Sequence, residues 1–147
     1  MMGFDVANNG ALSSCMVIDG SGNVGVGIGT TAPIGYKLNV NGIVYSQDLQ
    51  IFSDSNFKTD ILPVTNAVSK LQQMHGITFS FIDDPTKRRR VGLMAQDVEA
   101  VVPEAVLENN GRKSLAYANL VGVLVEAIKE QQSSIDDLRT RLAELHY

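Results

Sequence analysis

At 147 residues, 44% hydrophobic and 19% charged, with a formal charge of -4, the chain has material for one modest folded domain with an appendage. That balance excludes a disordered polymer and gives no bulk support for nucleic-acid binding. No apolar run approaches the ~20 residues of a membrane span and no basic-then-apolar signal opens the chain. A single Cys15 excludes an intrachain disulfide, and His75 and His146 stand far apart without ligand-spaced neighbours, so neither a metal nor a cofactor is expected.

Residues 1–52 hold 9 of the 13 glycines and read as short strands. Met16-Val17-Ile18 is strand-like, and from Gly22 to Gly29 apolar residues alternate with glycine at period two. Tyr36 to Val40 and Ile43 to Tyr45 flank Asn41-Gly42, which predicts a hairpin because both turn positions tolerate positive φ. Small side chains leave this stretch little to bury alone, so it is expected to be a glycine-rich β stalk, intertwined with other chains. Met1 is read as an introduced start rather than the start of the natural chain. Gly20-x-Gly22-x-x-Gly25 matches a dinucleotide fingerprint, but glycine-alternating strand follows where the fingerprint needs a helix.

Ser53 and Lys58 lie five residues apart where the β-rich stretch gives way to a mixed one. A serine becomes a nucleophile when a neighbour takes its proton, and a lysine can do so only when neutral. The spacing fixes no geometry, and on these residues alone a polar turn is the simpler reading.

Val64, Ala67, Val68, Leu71 and Met74 follow helical spacing, with Gly76 expected as a left-handed terminator after His75. Ile77 to Ile82 and Arg90 to Met94 read as strands around an Asp83-Asp84-Pro85-Thr86 turn. The basic run Lys87 to Arg90 is expected at a solvated hairpin tip, balanced by Asp83 and Asp84. A short helix is predicted over Ala95 to Val101, stopped before Pro103, and a brief strand or turn at Leu115 to Tyr117.

Residues 120–147 predict one long helix of about 40 Å. Val121, Leu124, Ile128, Gln131, Ile135, Leu138, Leu142 and Leu145 are spaced 3, 4, 3, 4, 3, 4, 3, a heptad seam. Up to Ile128 the helix can equally pack on its own domain. Beyond it the seam narrows to alternate a and d positions, which favours self-association without counting the strands.

From Ser53 to about Leu145 the chain resembles the C-terminal intramolecular chaperone domain of endosialidase-type phage tailspikes and tail fibres. Three stretches carry the resemblance: Ser53-Asp54-x-x-x-Lys58-x-x-Ile61; Gly92-Leu93-Met94-Ala95-Gln96-Asp97-Val98-Glu99 with Pro103-Glu104-Ala105-Val106; and Tyr117-x-x-Leu120-x-x-x-Leu124-x-Glu126-Ala127-Ile128-Lys129. Related domains occur in animal membrane-bound myelin regulatory factors, but the glycine-rich stretch is similar to phage fibre stalks.

The resemblance implies an α+β fold in three parts. These are the end of a fibre β stalk (1–52, the passenger), a small mixed α/β globular chaperone domain (53–119) and a coiled-coil helix (120–147). It implies a homotrimer, joined through the seam, that aids folding of the upstream fibre in cis and then cuts itself as a single-turnover serine peptidase. Ser53 is the implied nucleophile, Lys58 the general base and Phe52-Ser53 the cleaved bond. No nucleic acid, membrane or small-molecule substrate is implied. The implied setting is a virion tail fibre or spike assembled in the host cytoplasm, with the released chaperone fragment absent from the mature virion. The family usually carries an arginine where this chain has Asn56. A permanently retained trimeric fibre tip, without cleavage, is the alternative.

Overall fold

The computed structural model describes residues 2–8, 11–29 and 35–145. The chain forms two compact units, Met1–Lys58 and Thr59–Tyr147.

In the first unit, β1 (Met2–Asn8) pairs antiparallel with β2 (Ala11–Ile18), with a register shift between Phe4 and Asp5. Strand β3 (Val24–Val26) pairs antiparallel with β2, and β4 (Leu38–Val40) pairs parallel with β3. The β2–β3 turn is organised by Asp19, whose carboxylate accepts from the Ser21 and Asn23 amides at 2.8 and 2.9 Å. Those bonds and the Asn23 side chain hold the Asp19 carboxyl below the usual carboxylate range. Val17 is buried beneath Ile28, which folds back over the bare Cα of Gly25. Any side chain at Gly25 collides with Ile28, so this glycine serves a close approach.

The glycine-alternating stretch is therefore strand only at Val24–Val26, because Gly22, Gly27 and Gly29 take positive φ and break the pleat. The expected hairpin at Asn41-Gly42 does not form. Asn41 is tied to the end of β3, its amide donating to Val26 O at 2.9 Å and its side chain to Gly27 O at 3.2 Å. Residues 43–45 consequently leave the sheet without pairing. The fingerprint glycines Gly20, Gly22 and Gly25 lead into β3 and then bends, with no helix behind them.

The second unit is mixed α and β. Helix α1 (Ala67–Gln72) precedes a hairpin of β5 (Gly76–Phe79) and β6 (Arg90–Leu93). Helix α2 (Ala95–Val101) has the predicted bounds and is followed by a 3-10 turn at Pro103–Ala105. A second hairpin, β7 (Val106–Asn109) with β8 (Arg112–Leu115), leads through a 3-10 turn at Tyr117–Asn119 into α3 (Leu120–Glu144, 25 residues). His146 and Tyr147 lie outside the described residues.

Ala67, Val98, Val102, Ala105, Leu120, Val123 and Ala127 are buried together, with Val64, Val68, Leu71 and Met74 packed against them. The apolar spacing from Val64 to Met74 thus marks the core-facing side, although the helix is shorter than that run. Asn66 sits at φ 54, in the left-handed region, and delays the start. Gly76 does not terminate α1. The last turn tightens through bonds from the Gln73 amide to Lys70 O and the Met74 amide to Leu71 O, and Gly76 opens β5. The β7–β8 hairpin, absent from the sequence expectation, turns on Asn110 and Gly111 at φ 50 and 71, the two positive values a tight primed turn requires.

Within the family-like signature, Gly92 has a packing role. A Cβ there meets Tyr117 Oη at 2.6 Å and Phe79 at 3.1 Å, while the Leu93 amide donates to Tyr117 Oη at 3.0 Å. The hydroxyl supplies a hydrogen-bond partner to β6 because residue 92 has no side chain. Gly92→Ala is expected to displace Tyr117 and lower stability by about 1–3 kcal/mol, read as a fall in the denaturant midpoint. An unchanged midpoint rejects this packing account.

Candidate functional site

Asp54 caps a short 3-10 turn at Ser55–Phe57, its Oδ1 accepting from the Asn56 amide at 2.9 Å. The Phe57 amide donates to Asp54 O and the Lys58 amide to Ser55 O. An Asx-type cap followed by one tight turn reverses the chain, and the reversal carries the Lys58 side chain back over Ser53. Lys58 Nζ donates to Ser53 Oγ at 2.7 Å. The same turn places the rings of Phe52 and Phe57 edge to face, 5.2 Å between centroids. Both aromatic residues, Ser53 and Lys58 are exposed. The structure therefore brings the two polar residues together, next to the Phe52-Ser53 bond, on a turn whose formation is local.

The seam residues Val121, Leu124, Ile128, Gln131, Ile135, Leu138, Leu142 and Leu145 are all exposed. A different side of α3, through Leu120, Val123 and Ala127, is buried in the unit's own core. The helix does pack on its own domain over its first turns, but not through the heptad positions. Just past the buried side, the Glu130 carboxylate accepts from the Ala67 and Val68 amides, both at 2.9 Å. These amides are the unpaired donors at the start of α1. They hold the Glu130 carboxyl below its usual range, with Lys70 adding to the effect. Glu130 thus fastens α1 to α3. No local sequence signal points to this partner: Asn66 is itself a favoured cap residue, yet in the structure its side chain makes no cap bond to α1.

The remaining polar candidates are engaged locally. Arg90 bonds Asp84 at 2.9 Å and lies 4.9 Å over the Phe81 ring. Lys87 donates to Ile82 O and Arg89 to Thr78 Oγ1. Bonds from Thr86, then Arg90, hold the Asp84 carboxyl low. His75 Nδ1 lies 3.2 Å from Asp97 Oδ2 at the surface. Lys113 joins Glu99 and Glu108 at 2.6 and 2.8 Å, clamping the second hairpin to α2. Among the described residues no group of three His, Cys, Asp or Glu side chains has metal-binding geometry, and no helix is long and apolar enough to cross a membrane.

Comparison with known proteins supplies the context. Residues 53–107 match the family described as chaperone of endosialidase. The chain is 33% identical over 114 residues to the long tail fiber protein Gp37 of Salmonella phage S16, a match covering 71% of this chain and 15% of that protein. It is 28% identical over 116 residues to Gp37 of Enterobacteria phage K3, covering 69% of this chain and 9% of that protein. Against Gp37 of Enterobacteria phage M1 it is 30% identical over 122 residues, covering 73% and 49%. The chain thus spans less than half the length of these relatives. The family match opens on Ser53, the residue that accepts from Lys58, and over residues 53–107 the chain is similar to the chaperone-of-endosialidase family.

Proposed function

We propose that this chain is a segment of a phage tail fibre. Its domain from Ser53 onward acts as an intramolecular chaperone, joins three copies through α3 while the upstream glycine-rich β stalk assembles, and then cuts itself free at Phe52-Ser53. The observation that carries the cleavage is the 2.7 Å contact between Lys58 Nζ and Ser53 Oγ at the first residue of the family match. In this reading neutral Lys58 takes the hydroxyl proton and Oγ attacks the Phe52 carbonyl carbon. The peptide C–N bond breaks and its nitrogen leaves as the free α-amine, taking up the proton. Water then hydrolyses the Phe52 ester, restoring the Ser53 hydroxyl and leaving a Phe52 carboxylate.

A lysine acts as base only when neutral, and loss of water favours the neutral form. In the lone chain the pair is exposed, so water exclusion has to come from assembly. Cleavage is therefore tied to completed association, and the loss of the chaperone then makes unfolding of the stalk effectively irreversible. A second reading, a permanently retained trimeric tip, draws on Asn56, which stands where the resemblance expects arginine.

Denaturing electrophoresis with intact mass on freshly purified protein separates the two. Two fragments, residues 1–52 and 53–147, are expected for the parent chain, and a whole but still oligomeric chain for Lys58→Ala. A whole parent chain moves the reading to the permanent tip, and normal processing of Lys58→Ala removes Lys58 from the mechanism.

A further inference from the structure

Residues 43–52 are the one long stretch of the first unit's described residues outside any regular element and without a backbone–backbone hydrogen bond. Only the Leu49 amide has an intramolecular partner, the side chain of Asp48 at 2.7 Å. Yet the stretch has the composition of a strand. Ile43, Tyr45, Leu49 and Ile51 recur at period two, interrupted only by Gln47, where the lone chain bends. The alternate positions Ser46, Asp48 and Gln50 are polar, with Val44 and Phe52 at the ends. Tyr45 is 99% exposed, Leu49 79% and Phe52 73%. A period-two apolar face with no ladder describes a strand whose partner is absent.

The chain's own sheet cannot supply that partner by a hairpin. Its last strand, β4, ends at Val40, and Asn41 is fastened to Val26 and Gly27, so the chain is directed off the sheet two residues before the stretch begins. The heptad face of α3 in the same chain is also uncovered. A second copy of this chain answers both exposures, because copies joined by a closed rotation axis surround it with the same residues. Burial of an aromatic side chain removes roughly 150–250 Å² from water. Tyr45 at its observed exposure then contributes roughly 150–250 Å² per copy, with Ile43, Leu49 and Ile51 adding to it, towards the ~800 Å² each partner gives to a stable interface.

We infer that residues 43–52 form an intermolecular strand. It pairs with the same stretch of neighbouring copies, with Ile43, Tyr45, Leu49 and Ile51 turned towards the axis and Phe52 on the other side. This rests on the proposed self-association and adds that the stretch leading into Phe52-Ser53 is completed by a second copy. The neighbour's ladder fixes the residues before the cleaved bond and removes water from them, while Phe57 holds the Phe52 ring from within the chain.

The test uses the uncleavable Ser53→Ala chain, so that it reads pairing whether or not the parent cuts itself. Amide hydrogen exchange is followed by mass spectrometry across residues 43–52, beside a Ser53→Ala/Ile135→Asp chain in which association is removed. Amides in this stretch are expected to exchange at least about tenfold more slowly in the assembled protein. In a Cys15→Ser/Ser53→Ala background, Tyr45→Cys is expected to give covalently linked copies on mild oxidation and Val44→Cys is not. Equal exchange in an assembly verified by light scattering overturns the pairing while leaving the chaperone reading in place. A monomeric Ser53→Ala chain overturns both. A whole parent chain with slow exchange at 43–52 overturns the cleavage alone.

Discussion

Ser53→Ala is expected to stay a single 147-residue chain under conditions where the parent splits at Phe52-Ser53. Alanine removes the only atom of residue 53 able to attack the preceding carbonyl. Loss of a serine nucleophile from a peptidase costs on the order of 10⁶ in rate, which for a single-turnover event amounts to no cleavage at all. The substitution is structurally mild. Ser53 is exposed and its side chain's one intramolecular hydrogen bond accepts from Lys58, so the fold and the oligomer should be unchanged in a thermal melt and in light scattering. Ser53→Cys, which retains a nucleophile of similar size, is expected to cut partly. Fragments of the same mass from Ser53→Ala would show that an outside protease, not this residue, severs the bond.

Ile135→Asp carries the second large effect, on association. Ile135 occupies an a position of the seam and shares a shallow groove with Val68, Glu130, Gln131 and Ser134. Ile135 is 44% exposed in the lone chain, so removing it from a seam forfeits about 0.7–1.3 kcal/mol of burial per copy. For three copies that is about 2–4 kcal/mol, roughly one and a half to three decades in association constant, before repulsion between three converging carboxylates is counted. Sedimentation at micromolar concentration should therefore show a monomer, and cleavage should disappear with the oligomer. Helix α3 is held to its own unit by Leu120, Val123, Ala127 and Glu130, so the monomer's circular dichroism should change little over that core. Persistent trimers would place the association elsewhere. Efficient cleavage by a proven monomer would separate chemistry from assembly.

How much of this was legible in the sequence varies with the length scale of the cause. Helix α2 and the β5–β6 hairpin follow from local periodicity and turn chemistry: α2 has the expected bounds and β6 ends one residue early, but β5 stops at Phe79, three residues short of the expected Ile82. Asn41-Gly42 and Asn110-Gly111 show where local reasoning stops. Both suit a hairpin, yet of the two Asn110-Gly111 makes one and Asn41-Gly42 does not, because β7 and β8 are free to pair while Asn41 is captured by β3 across a gap in sequence. The contact between Ser53 and Lys58 could be named as chemistry but not as geometry from its spacing. The missing ingredient was Asp54, whose side-chain cap makes the intervening residues a turn. On α3 the heptad positions were readable. The second face through Leu120, Val123 and Ala127 was not separated from them, since small and β-branched residues fill both sides of the first turns. Glu130 and Gly92 act through partners 62 or 63 and 25 residues away in sequence, beyond any local pattern.

The two-sided character of α3 bears on which copies can enter an assembly. The rotation of the helix about its own axis is set by Leu120, Val123 and Ala127 in the core and by the Glu130 clamp on α1. A copy whose core has not closed has nothing to hold its heptad residues outward, and offers a neighbour a helix of undefined orientation. In the proposed trimer the helix thus works as a fidelity check, admitting a protomer only after its own folding is complete. An error made within one chain is rejected there rather than carried into the fibre.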